Sequence, residues 1–125
     1  MTERTRIAVP TEGVGGIDAP RSAHFGHADS FTIVDVEGGA IASDSSIANP
    51  PHVSGGCGSV VATLAHQGVG VAIVVGMGGG PRAAMASHGM QALFDDRSAT
   101  PREAVDAYLA GGLSPFGADH QCQGH

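Results

Sequence analysis

Apolar residues recur along the first half of the chain in two spacings, which predict strands followed by a helix. Residues 7–9, 30–36 and 40–43 are short strand-like runs, and the last two flank a glycine turn at residues 37–39, so they predict a hairpin. From residue 58 to residue 66 the apolar positions follow helical spacing, and Gly68 supplies a stop.

The second half of the chain alternates strands and helices. Residues 71–75 form a continuous apolar run, typical of a central parallel strand that is covered on both faces. A helix is predicted to begin at Pro81, a strand to cover residues 90–94, and a last helix to begin at Pro101. We expect a capping box there, in which Thr100 accepts from the N–H of Glu103 and the Glu103 carboxylate accepts from the N–H of Thr100.

This order of elements predicts an α/β fold with a five-stranded mixed sheet and helices packed on it. The length of 125 residues suits one domain, which we place at residues 1–113. Residues 114–125 are then a polar, irregular tail rich in possible metal ligands.

Acidic residues are distributed unevenly, and the gap predicts an anion site. The chain has 12 acids and a formal net charge of −6, but no Asp or Glu occurs between Ser45 and Phe94. Within this segment a glycine loop, residues 76–80, joins a strand to a helix, where free N–H groups and the helix dipole attract anions. We expect an anion cradle, with the alternative of a tight turn that binds nothing; its residues are Gly78, Gly79, Gly80 and Arg82, with Met77 as a soft thioether.

A thiol and three imidazoles are candidate ligands near this segment. Cys57 stands where a helix begins, which lowers a thiol pKa and makes a soft thiolate ligand available. His52 precedes it by five residues, and His24 and His27 share an earlier loop. The alternatives are that Cys57 is a small buried hydrophobe and that the histidines are surface or hydrogen-bonded residues.

The tail offers a second set of ligands. His120, Cys122 and His125 lie within six residues, a set suited to zinc or copper. The tail therefore predicts an accessory metal site or, alternatively, a lid.

Composition excludes several functions. All six basic residues are Arg, so Schiff-base and Walker-type lysines are excluded. An acidic chain without a basic stripe predicts no nucleic-acid or membrane partner, and the absence of a signal-peptide-like stretch predicts a cytoplasmic protein. The predicted central strands and first helix lack the carboxylates of a two-metal nuclease, and no Ser stands in a nucleophile elbow.

Several motifs occur in an order that resembles one known family. They are Ser22-Ala23-His24-Phe25-Gly26-His27-Ala28, Gly55-Gly56-Cys57-Gly58, Gly68-Val69 before the apolar run, Gly80-Pro81-Arg82-Ala83 and Thr100-Pro101-Arg102-Glu103-Ala104-Val105-Asp106-Ala107-Tyr108. Together they resemble the dinitrogenase iron-molybdenum cofactor biosynthesis family of small NifX-like and NafY-like cofactor carriers. The resemblance implies a ribonuclease H-like three-layer α/β/α fold and a non-covalently held metal–sulfur cluster or precursor. One departure is His27, since such proteins often carry Arg or Lys after the Phe-Gly pair.

We therefore expect a non-catalytic carrier of a metal–sulfur cofactor, iron–sulfur or molybdenum-containing, that meets cofactor donor or acceptor proteins. One alternative is a small enzyme that binds a phosphate or carboxylate substrate at the glycine loop. Another is a partner-binding module without a ligand.

Overall fold

The computed structural model describes residues 4–23, 25, 28–48, 57–76 and 79–115, and for residues 57–59, 79–82 and 114–115 it describes the backbone alone. Within these residues there are six strands and three helices: β1 (Arg4–Thr11), β2 (Ser30–Glu37), β3 (Ala40–Ala48), α1 (Cys57–His66), β4 (Val71–Val74), α2 (Gly79–Ser87), β5 (Gln91–Phe94), α3 (Pro101–Leu109) and β6 (Ser114–Pro115).

The strands form one mixed sheet in the order β3-β2-β1-β4-β5-β6. Strand β2 is antiparallel to both β1 and β3, β4 is parallel to β1 and β5, and β6 is antiparallel to β5. Strands β1, β3, β4 and β5 consequently point the same way. This confirms the predicted mixed sheet of five strands, to which the two-residue β6 adds an edge.

Helices cover both faces of the sheet, which makes three layers. Side chains of α1 and α2, among them Leu64 and Met85, pack with Ala72 and Val74 on one face. On the other face, Val105 of α3 packs with Ile73, the β4 residue between Ala72 and Val74. Because successive strand residues point to opposite faces, the continuous apolar run of β4 is buried on both sides, as its sequence predicts.

Three local expectations are corrected. Helix α2 begins at Gly79 rather than at Pro81, and Pro81 is tolerated because the first turn of a helix has no internal partner for its N–H groups. Thr100 does accept from the N–H of Glu103, at 3.3 Å, but the Glu103 carboxylate accepts from the N–H of Ala99 instead of Thr100.

The third correction concerns the tail. Its first two residues pair with Leu93 and Phe94 as β6 rather than being irregular. Residues 116–125 lie outside the described residues. Within the part of the chain that the structure describes, no helix has both the length and the apolar character needed to cross a membrane.

Candidate functional site

The segments that hold most of the predicted ligands leave the sheet at a single edge. The carboxyl ends of β1, β3 and β4 are Thr11, Ala48 and Val74, and Ser30 pairs with both Thr11 and Ala48. Residues 12–29, 49–56 and 75–78 follow these ends in turn. Ligands of open α/β sheets bind outside the carboxyl ends of the strands, so this edge is the candidate site.

Two helices begin at the same edge. Helix α1 starts at Cys57 after β3, and α2 starts at Gly79 after β4, so both run back across the sheet from its carboxyl edge. Neither helix has an acidic residue in its first turn. Two uncompensated helix N-termini make this edge favourable for negative charge.

For the predicted ligands that it describes, the structure shows which helix or strand each residue belongs to, but not where its side chain lies. The prediction that Cys57 opens a helix is confirmed, and the chosen glycines Gly79 and Gly80 belong to the first turn of α2 rather than to the loop before it. Arg82 lies in the same helix, with its side chain not described. The remaining predicted site residues lie outside the described residues and stay predictions: His24, His27, His52, Met77, Gly78, His120, Cys122 and His125. Among the described residues no three His, Cys, Asp or Glu side chains are grouped to hold a metal ion.

The loop after β1 is fixed by buried contacts at both of its ends. The hydroxyl of Thr11 lies 2.7 Å from that of Ser30 and 3.1 Å from that of Thr32, which in turn accepts from the N–H of Gly16 at 2.9 Å. Further along, Phe25 is buried and its ring centroid lies 5.3 Å from that of Phe31. The Phe of the sequence motif therefore has a structural role, because it anchors the loop in the core.

A buried arginine, Arg21, extends the sheet beyond the end of β4. It forms a bridge to Thr11. Since Thr11 already pairs with β2 on its other side, Arg21 lies on the side of β4. Its N–H donates to Ala99 O at 3.2 Å, and the N–H of Ser22 donates to Pro10 O at 2.9 Å. Arg21 thus lies next to the point where the chain leaves β4 towards α2.

The Arg21 guanidinium forms an ion pair with Asp95 in the interior. Its Nη1 donates to Asp95 Oδ2 at 3.1 Å and to Ser98 O at 3.2 Å, and the two side chains are only 4% and 5% exposed. Burial lowers the pKa of Arg21, opposed by the charges of Asp95 and Asp96. Burial alone would raise the pKa of Asp95, but hydrogen bonds from Ser98 and from the N–H of Arg97, together with Arg21, lower it.

Sequence reasoning missed this pair. Arg21 and Asp95 are separated by 74 residues, and only the sheet order brings them together. The available signal was the position of Asp95, directly after an apolar strand and therefore at the carboxyl edge of the sheet.

Among the described residues, two cavities lie outside the predicted site. One of about 420 Å³ is lined by residues 94–97 with Gly112 and Leu113, at the end of β5. The other, of about 210 Å³, lies between α1 and α2 and is lined by His66 and His88 among others. The positions of these two imidazoles along the chain do not predict that they line one cavity.

Comparison with known proteins gives a family and a set of similar folds. The profile of the family described as "Dinitrogenase iron-molybdenum cofactor" matches residues 3–111. A search of curated proteins finds no match.

Among solved structures, the apo form of the orange protein (ORP) from Desulfovibrio gigas is 27% identical, with a TM-score of 0.76 over 90% of this chain and 97% of that one. TM1290 from Thermotoga, of the DUF35 family, is 25% identical, with a TM-score of 0.74 over 89% of this chain and 92% of that one. PH0822 has a TM-score of 0.77 over 91% of this chain and 98% of that one, but at 23% identity it shows the fold alone.

Proposed function

Because this chain belongs to the dinitrogenase iron-molybdenum cofactor family, we propose that it binds and carries a metal–sulfur cofactor or its precursor, without catalytic turnover. The family match over residues 3–111 is the observation that carries the proposal. The name of the similar orange protein fits a coloured ligand, and the existence of its apo form fits a ligand that can be removed. The cargo is iron–sulfur or molybdenum-containing, and its donor or acceptor proteins are the partners.

The proposed binding site is the carboxyl edge of the sheet. Metal–sulfur clusters are anionic or carry sulfide ligands, so they favour N–H donors and an absence of carboxylates. The starts of α1 and α2 meet both conditions, since neither first turn contains an acid. This donor chemistry fits the proposed cargo.

The proposed roles follow the sequence analysis. Gly78, Gly79 and Gly80 present N–H groups, with Arg82 and Met77 beside them. Cys57 and His52 are the proposed metal ligands, because a thiol at a helix start gives up its proton readily. His24 and His27 lie on the loop side of the site.

Four finer assignments belong to the same proposal. We place the domain at residues 1–113 and a tail at residues 114–125, whose His120, Cys122 and His125 bind zinc or copper. We assign the fold to the ribonuclease H-like class, supported by the strand order with an antiparallel β2. We expect a cytoplasmic protein with no nucleic-acid or membrane partner.

Titration with a cofactor precursor tests the proposal. The metal-free protein is titrated anaerobically with tetrathiomolybdate and, separately, with ferrous iron plus sulfide, while the visible spectrum is recorded. We expect saturable binding that Gly79→Asp weakens about tenfold or more, because the new carboxylate lies in the first turn of α2. An Asp at that position favours the helix, so lost binding does not reflect unfolding.

The matched control is Gly70→Asp, which adds the same charge at the opposite edge of the sheet. Gly70 is exposed, and a Cβ there meets no heavy atom within 4 Å. It should bind like the unaltered protein. Equal affinity for both variants would contradict the site, and no saturable binding of either precursor would contradict the function. Saturable binding of a phosphate ester instead would favour the enzyme alternative.

A further inference from the structure

Four arginines of the described residues lie beside a carboxylate, but they use different faces of the guanidinium. Arg4 approaches one oxygen of Glu37 with Nε at 3.3 Å and Nη2 at 3.2 Å. Arg6 donates from Nε and Nη2 to the two oxygens of Asp35, at 2.7 and 3.2 Å. Arg102 does the same to Asp18, at 2.9 and 3.1 Å. Nε and Nη2 point their N–H groups in parallel, which makes them the fork that receives two acceptor atoms side by side.

In Arg21 the Nε and Nη2 groups of this fork form no hydrogen bond to a described residue. Its bonds to Asp95 and Ser98 both come from Nη1, and its Nε and Nη2 have no hydrogen-bond partner among the described residues. The side chain is 4% exposed, so bulk water does not replace the missing partners. Buried donors are normally paired, and unpaired donors on a charged group are especially costly.

The backbone position of Arg21 gives this a functional meaning. Arg21 lies beside the exit of β4, where the chain continues to the start of α2, and that first turn lacks an acid. A buried cationic fork and a helix N-terminus at one edge of a sheet are two independent attractions for an anion.

We propose that the Nε and Nη2 groups of Arg21 bind a small oxyanion through two of its oxygens. Carboxylate, phosphate and sulfate share this paired-oxygen chemistry, and the fork accepts any of them. This oxyanion site at Arg21 goes beyond the proposed carrier function, because binding there requires no metal–sulfur cluster.

The neighbouring charges fix the guanidinium and limit what it binds. Asp95 takes Nη1, so it holds the plane of the guanidinium without occupying the fork. Asp96 adds a second negative charge nearby, and Arg97 is exposed in the same loop. Affinity should therefore come from the two directed hydrogen bonds rather than from net positive charge, and a spherical anion such as chloride should bind poorly.

Nuclear magnetic resonance of the metal-free protein tests the proposal directly. The Nε–H resonance of Arg21 is assigned in the unaltered protein by through-bond correlation to its own side chain and backbone, and then followed during titration with inorganic phosphate, sulfate, acetate or chloride at constant ionic strength. We expect a saturable shift with at least one oxyanion and none with chloride. A response to phosphate and sulfate but not acetate identifies a tetrahedral ligand, and the reverse identifies a carboxylate.

Affinity measured by calorimetry supplies the second readout. Arg21→Lys retains a charge for Asp95 but removes the fork, so oxyanion affinity should fall about tenfold or more. Arg97→Lys, in the same loop and exposed, should leave it unchanged. If Arg21→Lys does not fold, the shift of Nε–H in the unaltered protein decides the question.

An Arg21 Nε–H resonance that no oxyanion moves, or equal affinity in Arg21→Lys, would overturn the proposal and leave buried water as the partner. Failure here is distinct from failure of the carrier function, because precursor binding is read separately from the visible spectrum.

Discussion

Removing the charge of Asp95 should destabilise the protein far more than removing the charge of an exposed carboxylate. In Asp95→Asn the Arg21 guanidinium remains in the interior without its counter-charge, since the two side chains are 5% and 4% exposed. Breaking a buried ion pair by removing one partner costs about 3–5 kcal/mol. The amide oxygen can replace only one of the two carboxylate oxygens, so either the N–H of Arg97 or Nη1 of Arg21 then faces the amide N–H₂. We therefore expect a loss inside this range, about 4 kcal/mol.

Urea unfolding followed by circular dichroism measures this loss. The matched control is Asp18→Asn, which breaks the pair with Arg102 at a side chain that is 69% exposed, and we expect little change there. A double variant, Arg21→Met with Asp95→Asn, should recover part of the loss because no buried charge remains. If Asp95→Asn is no less stable than Asp18→Asn, the interior pair does not matter for folding and the account of Arg21 is wrong.

Four further outcomes are expected, the first two from the structure and the last two from the proposed ligands. Thr100→Ala should lose about 1 kcal/mol in denaturant unfolding because it removes the cap of α3, whereas a loss equal to zero would show that the cap is dispensable. The hydrogen bond and charge of Arg6 lower the folded-state pKa of Asp35, so this pair adds stability above the ordinary carboxyl pKa, and that stability is lost as the pH falls through the lowered folded-state pKa. Asp35→Asn should flatten that part of the stability–pH curve, and an unchanged curve would contradict the assignment. Deleting residues 118–125 should reduce stoichiometric zinc or copper binding in calorimetry but spare precursor binding, whereas unchanged metal binding would exclude the tail as its source. If Cys57 and histidines ligate the cargo, retention should fall as the pH drops through about 6 to 7 and should weaken in Cys57→Ser; tighter retention in acid with no effect of Cys57→Ser would leave only electrostatic binding.

The fold was predictable where one residue pattern has one structural solution. The run at residues 71–75 has to be buried on both faces, and the Thr100 motif has to start a helix, so both elements were correctly placed. Boundaries were less certain, because the glycines before Pro81 can serve either as a loop or as the first turn of a helix. The pairing of β6 with β5 depends on contacts that two residues do not encode by themselves.

The candidate site was predictable only in part for a different reason. An acid-free segment and a cysteine at a helix start are local signals, and both belong to segments at the carboxyl edge of the sheet. Arg21 and Asp95 become neighbours only through the sheet order, which places β1, β4 and β5 side by side. The spacing of residues along the chain does not indicate which side chains pair across the fold.

We propose above that this protein carries a metal–sulfur cargo. The most direct measurement is metal and inorganic sulfide analysis, with a visible spectrum, of the protein purified from its native source without oxygen. We expect iron or molybdenum together with acid-labile sulfide in a fixed ratio to protein, and a visible absorption band lost on exposure to acid. Protein that is colourless and free of both metal and sulfide after this purification would contradict it.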